Sequence, residues 1–344
     1  MIVIDGIIFS LQRSGGISVY FNELLRRLDK EQEKIYHLLY QNQNGYTKHL
    51  EVNRKIRWNL AFERFRRVNV FGDKGDVFHS SYYRLPTNEF SGKVITTVHD
   101  FTDDIYPRGI NSKVLTAQKK HAILNSDGLI CISKNTMKDM HKFIPESVNI
   151  TTTVIYNGVG NFTFSPKIGS YESYVIFVGA RSGYKNFSMC VTALKQLNDI
   201  NLIVIGGGDF SDDEKKILNN TIPGRFRHAG FVSEAELENL YQNALALIYP
   251  SYYEGFGIPV IEAMKAGCPV IASKSSSIEE VSNNAAILFE NISAETITQG
   301  ILELKNQKFR KEKISLGLEN SKNYSWDKMA LETQEFYNSV RGAK

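Results

Sequence analysis

The sequence predicts an α/β protein built from two parallel, doubly wound sheets that face an interdomain cleft. Its 344 residues are enough for two domains of roughly 150 residues each. Short β-branched runs alternate with longer helical patterns, which is typical of right-handed βαβ units. A polar, turn-prone passage at residues 157–173 interrupts this alternation, which then restarts. We therefore expect one domain over residues 1–160, a second over residues 161–324 and a final helix over about 325–344.

The composition excludes several classes of protein. Apolar residues make up 42% of the chain and charged residues 23%, which excludes disorder, collagen and coiled coil as the main architecture. No apolar run approaches the ~20 residues of a membrane-spanning helix, and the first residues read as a strand rather than a signal peptide. Three widely spaced cysteines in or beside apolar segments, Cys131, Cys190 and Cys268, are typical of a reducing compartment. We expect a cytoplasmic protein without disulfides.

The first domain is predicted from runs of β-branched residues and from amphipathic patterns between them. Helices are expected near residues 16–29, 112–125 and 134–143, and strands near residues 2–9, 35–41, 76–81, 93–99, 128–132 and 150–156.

The second domain repeats the alternation, with clear signals at the ends of its helices. Ser233 followed by Glu236 is a capping box, and Gly267 is placed to end a helix over residues 258–266. The acidic pair Asp212 and Asp213 favours a helix N-terminus, and Ser325 is placed to cap the final helix. Strands are expected near residues 174–179, 201–206, 227–230, 246–249, 269–272 and 286–289.

Charge is distributed unevenly along the chain. Residues 1–160 carry 22 basic and 16 acidic side chains, a net charge of +6, whereas residues 161–344 carry 19 and 21, a net charge of −2. The basic residues concentrate in segment 53–69, which has six of them with Trp58, Phe62 and Phe65 in between. This segment is expected to form a basic amphipathic helix. Two interpretations stay open, contact with an anionic membrane surface and a solvated helix packed on its own domain.

Segment 250–268, PSYYEGFGIPVIEAMKAGC, carries the strongest chemical signal. Ligands of open parallel sheets bind beyond the carboxyl ends of the strands, and this segment follows a strand. Gly255 and Gly257 let backbone amides approach a ligand where the helix begins, which favours an anion such as phosphate. Glu254 and Glu262 then remain to accept hydrogen bonds from a sugar and a ribose. A simple strand–loop–helix corner with two solvated glutamates explains the pattern equally well.

Other strand ends carry further candidates. Arg181 and Lys185 follow a strand and would neutralise a departing diphosphate, or else are solvated surface cations. The IGGGDF turn at 205–210 lacks the third glycine of a dinucleotide fingerprint and fits a tight turn near a base or sugar. Gly15 and Gly16 begin a helix near a phosphate or sugar, and His99 ends a strand as a structural or catalytic histidine. The Asp pairs lack Asp-x-Asp spacing, so no metal is expected.

Eight motifs in a fixed order resemble the retaining nucleotide-sugar glycosyltransferases of family 4, whose two Rossmann-like domains form the GT-B fold. The motifs cover nearly the whole chain. They are GG at 15–16, VHD with a later YP at 98–107, CISKNT at 131–136, VIYNGV at 154–159, FVGARSGYKN at 177–186, HAGFVSEAEL at 228–237, YEGFGIPVIEAMKAGCPVIAS at 253–273 and YSWDKMA at 324–330.

The resemblance implies roles for these positions. Arg181 and Lys185 would bind the donor diphosphate, although the short loop between them leaves open whether Lys185 or Asn186 meets the phosphate. Glu254 would contact the donor sugar, and His99 would lie near the reacting sugar. The implied catalytic set is therefore His99, Arg181, Lys185 and Glu254. The implied donor-binding set is Gly16, Gly179, Asn186, Gly207, Phe231, Val232, Gly255, Phe256, Gly257, Ile258 and Glu262.

The implied reaction is metal-independent transfer of a hexose from a nucleoside-diphosphate sugar, with retention, to a glycan or lipid-linked glycan. The second domain would bind the donor and the first the acceptor, with the last helix crossing back onto the first domain. A mannosyl or rhamnosyl donor in surface-polysaccharide synthesis is favoured, with no cofactor and no nucleic-acid partner. Segment 53–69 would touch the cytoplasmic membrane face. A nucleotide-sugar 2-epimerase of the same fold and a noncatalytic sugar-nucleotide-binding module are the alternatives.

Overall fold

Parallel β-strands form the core of each half of the chain in the computed structural model. The structure describes residues 1–12, 15–28, 34–40, 62–164, 173–181 and 183–342, and the backbone of residues 53–57. The chain divides into two units, one of Met1–Gly158 with Trp326–Lys344 and one of Val159–Ser325. Val159 and Ser325, the two ends of the second unit, pair in an isolated parallel bridge.

A seven-stranded parallel sheet in the order β3-β2-β1-β4-β5-β6-β7 organises the described part of the first unit. Its strands are β1 (Ile2–Asp5), β2 (Ile35–Tyr40), β3 (Asn53–Arg57), β4 (Val77–Ser80), β5 (Lys93–Val98), β6 (Gly128–Cys131) and β7 (Thr151–Val154). Its helices are α1 (Ile8–Leu11), α2 (Gly16–Arg27), α3 (Thr102–Ile105), α4 (Gly109–Leu124), α5 (Lys134–Phe143) and α13 (Trp326–Gly342).

A six-stranded parallel sheet in the order β10-β9-β8-β11-β12-β13 organises the described part of the second unit. Its strands are β8 (Tyr174–Val178), β9 (Asn201–Ile205), β10 (Phe226–Gly230), β11 (Ala246–Tyr249), β12 (Val270–Ser273) and β13 (Ile287–Phe289). Its helices are α6 (Phe187–Ala193), α7 (Asp212–Thr221), α8 (Glu234–Asn243), α9 (Ile258–Lys265), α10 (Ser277–Ser282), α11 (Ala294–Glu303) and α12 (Gln307–Ser321).

The signals at the ends of the helices are found where the sequence places them. The Ser233–Glu236 capping box begins α8, and a second capping box of Ser211 with Glu214 places the acidic pair in the first turn of α7. Gly267 has a left-handed φ of 78° immediately after the C-cap of α9. These caps provide hydrogen-bond partners for backbone amides or carbonyls that have no partner within the helix.

Two expectations about the first unit are wrong. The strand predicted over residues 2–9 ends at Asp5, because the chain turns at Gly6, packed against His37, into α1. The described residues of segment 53–69 do not form the predicted amphipathic helix. Its first residues pair as β3 with β2, and a short 3-10 helix follows at Glu63–Phe65. Trp58 lies outside the described residues.

A buried ion network holds the 3-10 helix Glu63–Phe65 in place. Arg84 has a fully buried side chain, and its guanidinium donates to Glu63 at 2.6 Å and to Asp5, at the end of β1, at 3.1 Å. It also donates to the hydroxyl of Tyr40 and to the carbonyl of Arg66. Since a buried charge is stable only when it is paired, this network fixes the segment to the carboxyl edge of the sheet.

The final helix α13 belongs to the first unit. The Tyr337 hydroxyl lies 2.5 Å from Nδ1 of His79, and Nε2 of His79 lies 2.8 Å from the Thr97 hydroxyl. All three side chains come from separate elements, so the last helix is tied to β4 and β5 by polar contacts as well as by apolar packing. None of the described helices combines the length and the hydropathy needed to cross a bilayer.

Candidate active site

The candidate site of the second unit lies where its strand order reverses. From β8 the chain continues outward to β9 and β10, whereas β11 lies on the other side of β8 and leads to β12 and β13. The loops after β8 and β11 therefore diverge at the carboxyl edge of the sheet. In open α/β sheets this position is the usual place for a nucleotide.

Lys185 and Glu254 come from these two loops and form an ion pair. Their side chains are 13% and 12% exposed, and the Lys185 ammonium also lies 3.5 Å from the hydroxyl of Tyr249. Neither residue is fully buried, so both groups stay within reach of a ligand. The structure thus brings together two of the residues that the sequence proposes for donor binding.

Two serines that the sequence analysis did not single out hold the Glu254 loop. The Ser276 hydroxyl accepts from the Glu254 amide at 2.9 Å, and the Ser277 hydroxyl donates to the Glu254 carbonyl at 2.8 Å. Ser276 has a left-handed φ of 49°, a strained conformation for a residue with a side chain. The run of serines after β12 was the available signal, but short polar loops are too common to identify such a role.

The N-terminus of α9 supplies a backbone donor beside Glu254. Gly257 caps the helix with a φ of 95°, and a Cβ there would lie 2.6 Å from Ile278, so only glycine fits. Ile258 and Pro259 begin the eight-residue helix. Pro259 has no N–H, and the Val260 amide donates to the Gly257 carbonyl at 2.9 Å, so the first turn offers a ligand the amide of Ile258. The ring of Phe256 is buried edge-on against Tyr324, 5.6 Å between centroids, so this residue has only its backbone to offer a ligand.

Glu262 lies farther along α9 and accepts from the Tyr241 hydroxyl at 3.4 Å. Desolvation raises the pKa of the Glu262 carboxyl to about 7, and the negative charge of Glu234 acts in the same direction. A carboxyl group with this pKa changes charge near neutral pH. Its role at a ribose stays a prediction.

Lys185 and Asn186, which follow β8, contact different groups. The Asn186 amide donates to the Pro250 carbonyl at 2.8 Å, which joins the loop after β8 to the end of β11. Asn186 also has a left-handed φ of 54° as the N-cap of α6. The Asn186 side chain therefore binds backbone, whereas the Lys185 ammonium contacts Glu254.

Arg181 has a side chain that is only 3% exposed and is engaged with other parts of the unit. Its guanidinium donates to Glu214 and to three backbone carbonyls of the loop after β9. Gly207 of that loop passes so close that a Cβ would lie 2.6 Å from the Gly179 carbonyl and 2.7 Å from the Arg181 guanidinium. The assignment of Arg181 to the diphosphate stays a prediction.

Phe231 and Val232, which the resemblance assigns to the donor-binding set, follow β10. Phe231 is 81% exposed, and Val232 beside it is partly buried. A large exposed aromatic ring at a strand end is suited to stacking on a flat ligand. The donor-binding role of Phe231 and Val232 stays a prediction.

Comparison with known proteins shows which family the second unit resembles. The model of the family "Glycosyl transferases group 1" matches residues 161–317, the part that holds Lys185 and Glu254. Over these residues, which are somewhat less than half of the chain, the protein is similar to the group 1 glycosyltransferases. An uncharacterized glycosyltransferase of Methanocaldococcus jannaschii is 28% identical to it over 346 residues, covering 95% of each chain.

Two further likenesses concern half of the chain and its fold. O-antigen chain mannosyltransferase B of Escherichia coli is 30% identical over 176 residues, 49% of this chain and 46% of that protein, so the match spans about half of either. The crystal structure of HepE from Anabaena in complex with UDP-glucose has the same fold, with a TM-score of 0.77 at 14% identity over 98% of this chain and 99% of that one. The predicted GT-B architecture of two Rossmann-like domains is confirmed.

In the first unit, His99 and Gly16 belong to neighbouring elements. The ring of Tyr20, on α2, meets the His99 ring edge-on at 5.3 Å between centroids, and Gly16 begins α2 after the N-cap Gly15. His99 is 5% exposed, its Nε2 has no hydrogen-bond partner, and burial lowers its pKa to about 4. His99 is therefore a neutral imidazole with one nitrogen available. Its catalytic role stays a prediction.

Within the described ranges of the chain, no three His, Cys, Asp or Glu side chains gather as metal ligands would. Cys131, Cys190 and Cys268 are buried and unpaired, and burial raises the pKa of each thiol to about 12. Such thiols are unreactive at neutral pH. The expectation of metal-independent transfer stays a prediction.

Proposed function

We propose that this chain is a group 1 glycosyltransferase of family 4 and transfers a hexose from a nucleoside-diphosphate sugar with retention of anomeric configuration. The observation that carries the proposal is the Lys185–Glu254 pair at the point of strand-order reversal, beside the N-terminus of α9. An ammonium and a helix N-terminus suit a diphosphate, and a carboxylate suits the hydroxyls of the sugar.

The donor is proposed to be a mannosyl or rhamnosyl nucleotide with a guanosine or deoxythymidine base. The likeness to an O-antigen mannosyltransferase supports the mannosyl choice. The fold neighbour that was crystallised with UDP-glucose supports a nucleoside-diphosphate sugar as the class of ligand. The acceptor is proposed to be a glycan or lipid-linked glycan of surface-polysaccharide synthesis.

The proposed mechanism needs no metal. The bond between the anomeric carbon and the diphosphate oxygen breaks, and the Lys185 ammonium and the N-terminus of α9 stabilise the charge on the leaving diphosphate. The acceptor hydroxyl attacks the same face of the sugar, and the departing diphosphate takes its proton. Neutral His99 would orient the reacting sugar. Glu254 would accept hydrogen bonds from the donor sugar and Glu262 from the ribose.

The first unit is proposed to contact the cytoplasmic face of a membrane through residues of segment 53–69 and their neighbours. Phe62 and Phe71 are 78% and 71% exposed, and they flank the basic side chains Arg66 and Arg67. Exposed aromatic rings among cationic side chains suit an anionic bilayer surface. Arg84 holds this part of the chain to the carboxyl edge of the sheet, where an acceptor is expected.

Helix α4 also carries exposed apolar side chains. Gln118 donates to the Arg64 carbonyl at 2.7 Å, which joins the helix to the aromatic segment. Ile110 and Val114 precede Gln118 at helical spacing and are 79% and 45% exposed. These two side chains are further candidates for apolar contact with a membrane.

A donor-turnover assay tests the reaction class. The chain is incubated with GDP-mannose, dTDP-rhamnose or UDP-glucose, with and without a lipid-linked glycan acceptor, in the presence of EDTA. We expect nucleoside diphosphate release that requires acceptor, and an NMR spectrum of the product with the donor's anomeric configuration. Conversion of the donor without acceptor would instead indicate an epimerase, and binding without any turnover a noncatalytic module. Loss of activity with EDTA would contradict metal independence.

A further inference from the structure

We infer that Arg181 does not bind the donor diphosphate but acts as a positioning residue, which fixes the shape of the loop Gly206–Asp209 on the nucleoside side of the site. This inference rests on the proposed function, since it assumes a nucleoside-diphosphate ligand. The negative charge of the diphosphate would then be bound by Lys185 and the N-terminus of α9.

The hydrogen bonds of Arg181 leave little of its guanidinium for a ligand. Nε donates to Glu214 at 2.9 Å, Nη1 to the Gly206 carbonyl at 2.9 Å, and Nη2 to the carbonyls of Gly208 and Asp209 at 2.9 and 2.8 Å. A guanidinium has five N–H donors, so four of the five are used. A diphosphate would have to break several of these bonds to be bound by the usual two-pronged contact.

The surroundings of the guanidinium also oppose a ligand. The side chain is 3% exposed, and its Cζ lies 4.9 Å from the ring centroid of Phe210 and 5.9 Å from that of Phe187. Glu214 neutralises its charge at close range. Lys185 is several times more exposed and lies at a carboxylate that a ligand can replace.

The loop that Arg181 binds needs such a partner. Gly206, Gly207 and Gly208 have consecutive left-handed φ values of 73°, 76° and 74°. Glycine is the residue that adopts this conformation without strain, but it also loses the most conformational freedom when it is ordered. Three carbonyls of the loop converge on one guanidinium, so Arg181 selects this conformation from many that the glycines permit.

The same contacts join the loop to the next helix. Glu214 accepts from Arg181 with one carboxylate oxygen and from the Ser211 amide, at 2.8 Å, with the other. The Ser211 hydroxyl in turn accepts from the Glu214 amide at 3.2 Å. Loop and helix start are therefore one hydrogen-bonded unit at the carboxyl end of β9. Loosening it should affect the part of the ligand that lies against β9 rather than the diphosphate at β8 and β11.

Binding of mono- and diphosphates separates the two roles. Calorimetry of the wild-type chain with three nucleotide pairs, UMP and UDP, GMP and GDP, and dTMP and dTDP, first identifies the pair that it binds. For that pair, the measured quantity is the ratio of the monophosphate Kd to the diphosphate Kd. The variants are Arg181→Met, Glu214→Gln and Lys185→Met, with the exposed Arg227→Met as a matched control.

We expect Arg181→Met to weaken both nucleotides by about the same factor, roughly fivefold or more, and to leave the ratio unchanged. Glu214→Gln should also weaken both nucleotides equally, by a smaller factor. If Arg181→Met does not fold, the ratio measured for Glu214→Gln tests the inference instead. Lys185→Met should lower the ratio about tenfold, because it removes a phosphate contact. Arg227→Met should change neither affinity.

A fall in the ratio for Arg181→Met comparable to that for Lys185→Met would overturn the inference and return Arg181 to the diphosphate. An unchanged ratio for Lys185→Met would instead contradict the proposed function, because the ammonium would then not bind phosphate. Absence of binding to all six nucleotides by the wild-type chain would overturn both.

Discussion

Lys185 and Glu254 neutralise each other across the two strands at which the second sheet changes direction. Neither charge is isolated before a ligand arrives, which avoids the cost of a partly buried, unpaired ion. A bound diphosphate would compete for the ammonium and leave the carboxylate to accept hydrogen bonds from the sugar. The pair is thus a resting arrangement of two groups that the proposed reaction uses separately.

Replacing Lys185 by Met should slow sugar transfer strongly. The ammonium would no longer offset the charge that develops on the leaving diphosphate, and removal of one such contact in other enzymes lowers kcat by about 10²- to 10³-fold. Steady-state kcat and KM with the preferred donor measure the effect. The matched control is Lys195→Met, which removes an exposed lysine of the same unit. Near-normal kcat in Lys185→Met would be incompatible with the proposed site.

Donor binding should depend on the protonation of Glu262. Its pKa of about 7 means that the carboxyl is mainly neutral at pH 6 and mainly ionised at pH 8. An ionised carboxylate accepts a ribose hydroxyl more strongly, so affinity should rise as pH increases, by about five- to tenfold over this range. Glu262→Gln cannot ionise and should lack this increase.

Calorimetry of the diphosphate at pH 6, 7 and 8 measures this prediction for both proteins. The terminal phosphate itself titrates near pH 6, at about the value of other phosphate groups, so the Glu262→Gln series supplies the background. Parallel pH profiles for the two proteins would exclude a role for the Glu262 charge in binding.

Two of the buried histidines of the first unit, His79 and His99, should make the fold sensitive to acid. Burial lowers the pKa of His79 to about 3, with the charge of His99 adding to the effect, and burial lowers the pKa of His99 to about 4. In the unfolded chain both titrate near 6.5, so below that pH the unfolded state binds protons that the folded state excludes. Stability from these groups is therefore present above pH 6.5 and lost as pH falls below it.

The His79→Gln variant isolates one of these contributions. Each histidine should cost about 1.4 kcal/mol per pH unit between pH 6.5 and pH 5, and glutamine removes one titration while it can still hydrogen-bond Thr97 and Tyr337. Urea unfolding at several pH values measures the free energy of unfolding. The difference in the free energy of unfolding between wild type and variant should narrow by about 1.4 kcal/mol for each unit by which the pH is lowered. A constant difference would show that His79 does not keep its depressed pKa.

Charge reversal in the exposed aromatic segment should weaken membrane binding. The double variant Arg66→Glu/Arg67→Glu should lower binding to vesicles that contain phosphatidylglycerol by at least about tenfold, since each basic residue near an anionic surface contributes about 1 kcal/mol. Phe62→Ser/Phe71→Ser should weaken it through lost apolar contact. Phe231→Ser, an exposed aromatic residue of the other unit, is the control. Flotation gives the bound fraction, and equal flotation of all variants would remove the proposed surface.

Local sequence patterns were sufficient for the parts of the fold that local physics controls. The strand of apolar residues before Glu254, the Pro259 at a helix start and the Ser233–Glu236 box each depend on residues within a few positions of one another. The helix predicted over 53–69 failed because its fate depends on distant partners. Pairing with β2 and the buried contact of Glu63 with Arg84 outweigh an amphipathic pattern that is only a weak preference by itself.

The sequence by itself therefore determined the two parallel sheets, the candidate residues at their strand ends and the family to which the motifs point. Only the tertiary structure decided which of these residues share a site and what each one touches. It joined Lys185 to Glu254, directed Arg181 to a glycine loop, and brought Ser276 to the Glu254 amide. The physical reason is that a side chain's charge and hydrogen-bonding capacity are written in the sequence, whereas its partners are set by the crossovers that bring separate strand ends to one edge of the sheet.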